Sequence, residues 1–430
     1  MELIPTKESA LAVFSSMNAA GRPQITSPAE IGPLILKKLR WTLRRWSLKN
    51  IWYRVRLPYR RRRWRLENLR TSAGFVKDSA ARLTNGPAIA FGEFSGSHGL
   101  SRAAAYDLAS VRQRHSSVEI VDIGPYLRSG SLPALNFATP VENAYFLCQP
   151  DNYEAIFRLL PPEYLARAYR VGRWVWETPL FPEDWRFAER LVHEVWTTSE
   201  FCGQTFRTAL GIPVSIVPYA VTVPVQPKID MRARLQVSPD AFLGLAVMDI
   251  VSCPERKNPW DHVRAWQAAF GADPAKILII KLRVGKRTRI VVDELKDLIG
   301  AADNVVIVTD ELGHDEIAAL HRAADIYISL HRSEGFGLNI YEALLLGTPT
   351  IATDWSANSE YGPNFPTYFP VKYELKPYRD WLGHYSDTKF RWASASVEDA
   401  SRQLKECASA WARYGTRSMA TRRARVRVDS

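Results

Sequence analysis

Two carboxylates, Glu334 and Glu342, stand eight residues apart in SEGFGLNIYEALLLGTPTIATDWSANSE, Ser333 to Glu360, on either side of a glycine-rich run that leads into a helix. Ile326 to Leu330 just upstream is a short apolar run that reads as a strand, and Gly335 and Gly337 let the backbone turn sharply and come close to a ligand. Asn339 is the expected N-cap, Ile340 to Leu346 the helical run and Gly347-Thr348-Pro349 the stop. Free N–H groups at such a helix start face an anion, and the helix dipole favours it by roughly 0.3–1 kcal/mol, up to about 2 when partly buried. A diphosphate suits that position, and of the two carboxylates beside it one can face a sugar and the other a ribose. Plainer readings stay open on these residues alone: Glu342 lies three residues after Asn339, where a capping-box glutamate belongs, and Glu334 could be a solvated loop residue.

In order and spacing, Glu334, Phe336, Gly337, Glu342, Gly347, Thr348 and Pro349 resemble the donor-site signature of retaining GT-B glycosyltransferases of the family 4 group, E-x7-E with FG between the glutamates and GTP after the helix. The resemblance implies a nucleotide-diphosphate sugar as donor, held by Glu342 and the run Gly335, Phe336, Gly337, Leu338 and Asn339, with Glu334 positioning sugar hydroxyls and with no metal or other cofactor. It also implies that the lysine closing the loop of LGLAVMDIVSCPERKNPWDHVRAWQAAF, Lys257, meets the donor phosphates, with Arg256 beside it. Cations suit that place because the leaving group is an anion, and charge-assisted contacts contribute roughly 1.5–3 kcal/mol each. One departure stands out: the family's arginine some six residues before the lysine is Val251 here. By the same analogy Thr309 and Asp310 in NVVIVTDELGHDE lie near the base. The loop FGEFSGSHGLSRAAAYDLA, with Gly96, His98 and Gly99, resembles the family's N-terminal glycine loop beside the acceptor. Glu177 of GRWVWETPLFPEDW ends an expected strand, Trp174 to Trp176, from where it can orient an acceptor hydroxyl, or else cap a turn among core tryptophans.

These residues need two frameworks to hold them. Apolar or β-rich runs at 88–91, 118–123, 144–148, 174–176, 195–198 and 214–217 alternate with helical stretches, and 243–247, 277–281, 305–308, 326–330 and 350–352 repeat the plan. Such alternation predicts an α/β protein of two Rossmann-like, doubly wound domains, and the resemblance implies that they face each other across a cleft, the GT-B plan. The proline-rich stretch from Pro218 to Lys228 reads as the linker. The expected divisions are a basic, partly helical extension over 1–80, an acceptor domain over 81–222, a nucleotide-sugar domain over 223–395, and a crossing helix with a basic tail over 396–430.

The chain has 430 residues, 46% of them apolar, enough for two packed cores, and its four scattered cysteines form no C-x-x-C pair, which argues against a zinc site or a disulfide framework. The net charge of +12 is concentrated: Lys37 to Arg70 holds fourteen Lys or Arg against the single acid Glu67, and the rest of the chain nearly balances. Within that arm Leu36, Leu39, Leu43, Trp46 and Tyr53 share a helical face opposite Lys38, Arg40, Arg44, Arg45 and Lys49, and Pro58 is expected to end or kink the helix. Tryptophan and leucine opposite arginine is an interfacial composition, so an anionic membrane surface is the expected partner of residues 34–66. Packing on the catalytic domain is the bland alternative, and nucleic acid is disfavoured because no nucleic-acid fold signature accompanies the arginines. No apolar stretch approaches about 18 residues and no leader opens the chain. The expectation is therefore a cytoplasmic enzyme, peripheral on the inner face of the plasma membrane, that transfers sugar to a glycan or lipid-linked acceptor in surface polysaccharide assembly. An epimerase or hydrolase on the same fold, or a non-catalytic nucleotide-binding scaffold, is the alternative.

Overall fold

The computed structural model describes residues 45, 48–96, 99–130, 141–223, 229–385 and 389–425. The chain divides into two compact units, Met1–Tyr53 and Arg54–Ser430. Of the first, only residue 45 and the start of helix α1 are described, so Leu36, Leu39, Leu43 and Trp46 lie outside the described residues.

Two six-stranded parallel sheets build the larger unit. The first runs in the order β2-β1-β3-β4-β5-β6 from β1 (Ala88–Gly92), β2 (Val118–Asp122), β3 (Asn143–Leu147), β4 (Tyr169–Arg173), β5 (Glu194–Thr197) and β6 (Val214–Ile216). The second runs β12-β11-β10-β7-β8-β9 from β7 (Phe242–Asp249), β8 (Lys276–Arg283), β9 (Val305–Val308), β10 (Ile326–Ser329), β11 (Thr350–Thr353) and β12 (Tyr368–Val371). A hairpin of β13 (Tyr373–Pro377) and β14 (Arg391–Ala395) follows. The helices that matter for the site are α1 (Leu48–Thr71), α2 (Gly99–Arg114), α3 (Glu200–Arg207), α4 (Pro254–Lys257), α5 (Pro259–Phe270), α6 (His314–Ala323), α7 (Leu338–Leu345) and α8 (Val397–Arg425). The two Rossmann-like domains expected from the alternation are present.

Central strands such as β1, β3, β7 and β10 are covered on both faces and are largely apolar rather than alternating with polar residues. The strand period of two then deals side chains to opposite cores. In β8, Leu278, Ile280 and Leu282 join Val263 and Trp266 of α5 and Leu404 of α8, while Ile279 joins Leu320 of α6 and Ile340 and Leu344 of α7.

Three expectations are corrected. The strand sought at 174–176 is Tyr169–Arg173, hidden in the sequence by two arginines that are both buried. Arg170 spends its guanidinium on the carbonyls of Leu165 and Val76, and Arg173 spends its Nε on Asp107. Pro58 does not end α1, which continues to Thr71. Tertiary anchors on both sides of the proline replace the lost backbone bond: Arg54 donates to Trp381 O at 3.1 Å, and Arg61 to Gly383 O and His384 O at 2.9 Å. Helix α8 packs on α5 and on the second sheet's own core, through Ala400, Leu404 and Ala408, where a crossing to the first domain was expected. Among the described residues no helix is long and apolar enough to cross a membrane.

Candidate functional site

Helix α7 starts where the glycines predict, by a different device. Its N-cap is Gly337, at φ +84, and no side chain caps it, so the sequence-based cap at Asn339 is corrected: Asn339 is the second residue of the helix. A left-handed backbone is cheap only for glycine, and here it frees the asparagine for another task. Glu342 consequently falls outside the capping-box position. Gly335 is a glycine for a steric reason, since a Cβ there would lie 2.4 Å from Val175 of the first domain. Its carbonyl accepts from the hydroxyls of Thr198 and Ser199 at 2.8 and 2.9 Å. The first domain thus grips the run between the two glutamates.

Glu334 lies at the centre of an ionic cluster. Its Oε1 accepts from Lys257 Nζ at 2.5 Å, and its Oε2 from Arg256 Nη1 at 3.1 Å. The same guanidinium donates to Ser333 O and, through Nη2, to Ser252 Oγ, with Glu177 Oε1 at 3.3 Å. Burial alone would raise the Glu334 carboxyl, but Lys257, Arg256 and His331 more than offset it and hold it at about 2. His331 itself is pushed down to about 4 by burial and is neutral near pH 7. The two cations differ in use. The Arg256 side chain is 3% exposed and committed to its neighbours, whereas Lys257, 18% exposed, keeps donors beyond the one given to Glu334.

Glu342 belongs to a second cluster that joins the domains. Arg102, in the first turn of α2, donates through Nη1 to both Glu342 oxygens at 3.0 and 2.9 Å and through Nη2 to Asn339 Oδ1 at 2.9 Å. Tyr106 OH reaches Glu342 Oε1 at 3.3 Å, and His321 Nε2 lies 3.3 Å from Asn339 Oδ1. Burial raises the Glu342 carboxyl, and Arg102 only partly counters it. Burial lowers His321 to about 3, so it adds no charge. Arg102, Tyr106, Thr222, His314, His321 and Glu342 line a cavity of about 420 Å³, within the usual range for small-molecule sites.

The structure therefore brings Glu334, Arg256, Lys257, Glu177 and Gly335 together, and separately Glu342 and Asn339. Phe336 packs between Tyr219, Tyr341 and Tyr361, and Leu338 joins that aromatic group. Thr309 and Asp310 are exposed just beyond β9. Gly99 opens α2, Gly96 precedes it, and His98 lies outside the described residues. Trp174 and Trp185 are core aromatics, as the bland reading had it, while Glu177 points instead to Arg256. Sequence reasoning missed Arg102, Tyr106 and His321. Arg102 stands one helical turn from Gly99 and could have been sought there; nothing local marks His321. Among the described residues, Cys253, Glu255 and Asp380 place possible metal ligand atoms within 4.8 Å of one another. Asp380 already accepts from Tyr378, Leu382 and His384, and burial raises the Cys253 thiol well up, so the carboxylate is taken up by hydrogen bonds and the cysteine is held as a thiol.

Fold and site together define a GT-B architecture, and residues 291–365 match the family described as glycosyl transferases group 1. Over 121 residues, 27% of this chain, the sequence is 33% identical to the lipopolysaccharide core biosynthesis mannosyltransferase LpsB of Rhizobium meliloti, and the match spans 34% of that relative. Among solved structures, Anabaena HepE in complex with UDP and glucose is similar over 79% of this chain and 93% of its own, with a TM-score of 0.51 at 15% identity. The sucrose-phosphate synthase of Thermosynechococcus elongatus covers 79% of this chain and 94% of its own, with a TM-score of 0.53, also at 15% identity.

Proposed function

We propose that the protein is a retaining glycosyltransferase of the family 4 type, which moves a sugar from a nucleotide-diphosphate sugar to a glycan or lipid-linked acceptor in surface polysaccharide assembly. In this reading the first sheet domain, 81–222, presents the acceptor and the second, 223–395, holds the donor, with 1–80 and 396–430 as flanking segments. The observation that carries it is the clamp of Glu334, Arg256 and Lys257, set before the uncapped N-terminus of α7 and close to the cavity beside Glu342. The nucleoside occupies that cavity, with its ribose on Glu342. Lys257 and the α7 N–H groups neutralise the diphosphate as the bond from the sugar's anomeric carbon to the phosphate oxygen breaks. The acceptor oxygen then attacks the same face, and its proton passes to the departing diphosphate. Glu334 orients donor hydroxyls, held ionised for that task by its two cations. The residues in these roles supply charge and position without a metal.

A thermal-shift panel of UDP, GDP, dTDP and ADP tests the donor site, since a ligand at 100 times its Kd stabilises the native state by about 2.7 kcal/mol. Sugar transfer that requires an added acceptor supports the transferase. Free sugar or epimer formed without one would favour the hydrolase or epimerase, and nucleotide binding with no turnover would favour the scaffold.

The acceptor's setting, in this reading, is an anionic membrane surface on the cytoplasmic side. Support comes from α1, where Val55, Tyr59, Leu66 and Leu69 are exposed large apolar side chains at helical spacing, flanked by exposed Arg56, Arg60, Arg62, Arg63 and Arg70. The opposite face, with Arg54, Arg61, Trp64 and Asn68, packs inward. At about 1 kcal/mol per basic residue near an anionic leaflet, these five arginines suffice for docking. Sedimentation with anionic vesicles should fall as salt rises, and equal binding to neutral vesicles would count against it.

A further inference from the structure

Within the ionic cluster at Glu334 the carboxylates of Glu177 and Glu334 offset Arg256 and Lys257, so the cluster offers a diphosphate the remaining Lys257 donors rather than a surplus of charge. A nucleoside diphosphate brings two or more negative charges to the start of α7. The next cation toward that helix comes from the other domain: Arg102, whose Nη2 already touches Asn339 in the first turn of α7 and which lines the large cavity. It is paired with Glu342, which lines the same cavity and on the reading above holds the ribose. Both partners of this ion pair therefore face groups of opposite preference on a single ligand. Ribose hydroxyls can donate to the Glu342 carboxylate, and phosphate oxygens can accept the planar guanidinium fork, a geometry matched to phosphate.

We infer that Arg102 is a donor-phosphate residue supplied by the first domain, and that nucleotide binding is a partner exchange. The ribose takes Glu342, and the released guanidinium takes the diphosphate. Arg102 exchanges one anionic partner for another, while Glu342 exchanges the guanidinium for ribose hydroxyls, which keep its oxygens hydrogen-bonded. Before the exchange, burial and the nearby Arg102 charge hold His321 down to about 3, so it adds no cation beside Asn339. The exchange also accounts for Tyr106, which shares Glu342 with Arg102 and keeps one hydrogen bond on the carboxylate while the others change. This inference rests on the nucleotide-sugar reading, and it concerns the phosphates rather than the sugar.

The experiment compares Kd values for a nucleoside diphosphate and for its bare nucleoside, using whichever base of the UDP, GDP, dTDP and ADP panel binds the full-length chain. Arg102→Gln keeps a hydrogen-bonding side chain but removes the charge. It is expected to weaken the diphosphate at least tenfold while the nucleoside binds as well as before or tighter, and Arg102→Lys should recover part of the loss. Glu342→Gln, which frees Arg102 beforehand, is expected to weaken the nucleoside more than the diphosphate and provides the answer should Arg102→Gln not fold. A ratio of the two Kd values unchanged from wild type in the variants that fold would overturn the inference and leave the donor-site reading intact. Failure of every nucleotide to bind the wild type would remove both.

Discussion

Glu334 and Glu342 are both buried and both bonded to arginine, yet their carboxyls are displaced in opposite directions, Glu334 down to about 2 and Glu342 up. The difference lies in who supplies the cations. Glu334 has two, from the short helix α4 of its own domain, fixed by the covalent run Arg256-Lys257. Glu342 has one, and it comes from α2 of the other domain. Burial costs each carboxylate about the same kind of desolvation, and only two nearby cations outweigh it. The cations of the first cluster therefore come from the same domain as its carboxylate, while the second cluster exists only when the domains meet. A pre-assembled site suits chemistry and a shared one suits ligand exchange.

The largest effect should follow from breaking the first cluster. Glu334→Ala leaves Lys257 and Arg256 without their shared partner and removes the group that orients the donor sugar. Transfer should fall by about 10²–10³-fold or more, the range seen when one preorganised polar group is deleted from an active site. The measurement is steady-state transfer with the nucleotide identified by thermal shift, and retained turnover would sink the assignment of this carboxylate.

Next in size is a pair of stability measurements that tests the contrast itself. Because the Glu334 carboxyl is depressed, its stabilising contribution is fully present above its ordinary value of 4.5 and is lost as pH falls towards 2. Glu334→Gln should therefore cost on the order of 3 kcal/mol at pH 7 and progressively less towards pH 2. Glu342 has the opposite sign, its contribution being greatest below 4.5 and declining as pH rises. Glu342→Gln should be the milder variant at pH 7 and should lose ground to wild type as the solution is acidified. Urea titrations at several pH values decide this, and parallel pH profiles for the two variants would mean that the clusters are alike.

Much of this contrast was invisible in the sequence, for reasons that can be named. The alternating apolar runs and the glycines marked both sheets and the turn into α7, because buried parallel strands and positive-φ turns demand specific residue types. Glu334, Lys257 and Arg256 could be named because the motif around Glu334 and the loop ending in Lys257 resemble the donor site of the glycosyltransferases. Strand β4 was not legible, because the groups that let Arg170 and Arg173 be buried include the Val76 carbonyl and Asp107, which lie far off in the chain. Arg102 escaped for the same reason, its partners Asn339 and Glu342 being more than two hundred residues away. Of the two outcomes expected at Pro58 the helix does not end there, because local propensity yields to tertiary anchors such as Arg54 and Arg61.

Glu177 offers the finest test, because through it a first-domain carboxylate reaches the pre-assembled cluster. Its carboxylate lies 3.3 Å from Arg256 Nη2 and its side chain is 27% exposed, so the pair is partly screened. A pair of that kind contributes about 1 kcal/mol or less. Arg256 retains Ser333 O, Ser252 Oγ and Glu334 after its removal, so the clamp should hold its shape. Glu177→Gln should therefore leave nucleotide affinity within about twofold and lower transfer by no more than about fivefold. A larger loss confined to the acceptor KM would show that Glu177 reaches past Arg256 to an acceptor hydroxyl. A larger loss in nucleotide affinity would show instead that the first cluster, like the second, depends on the meeting of the two domains, and the distinction between them would fall.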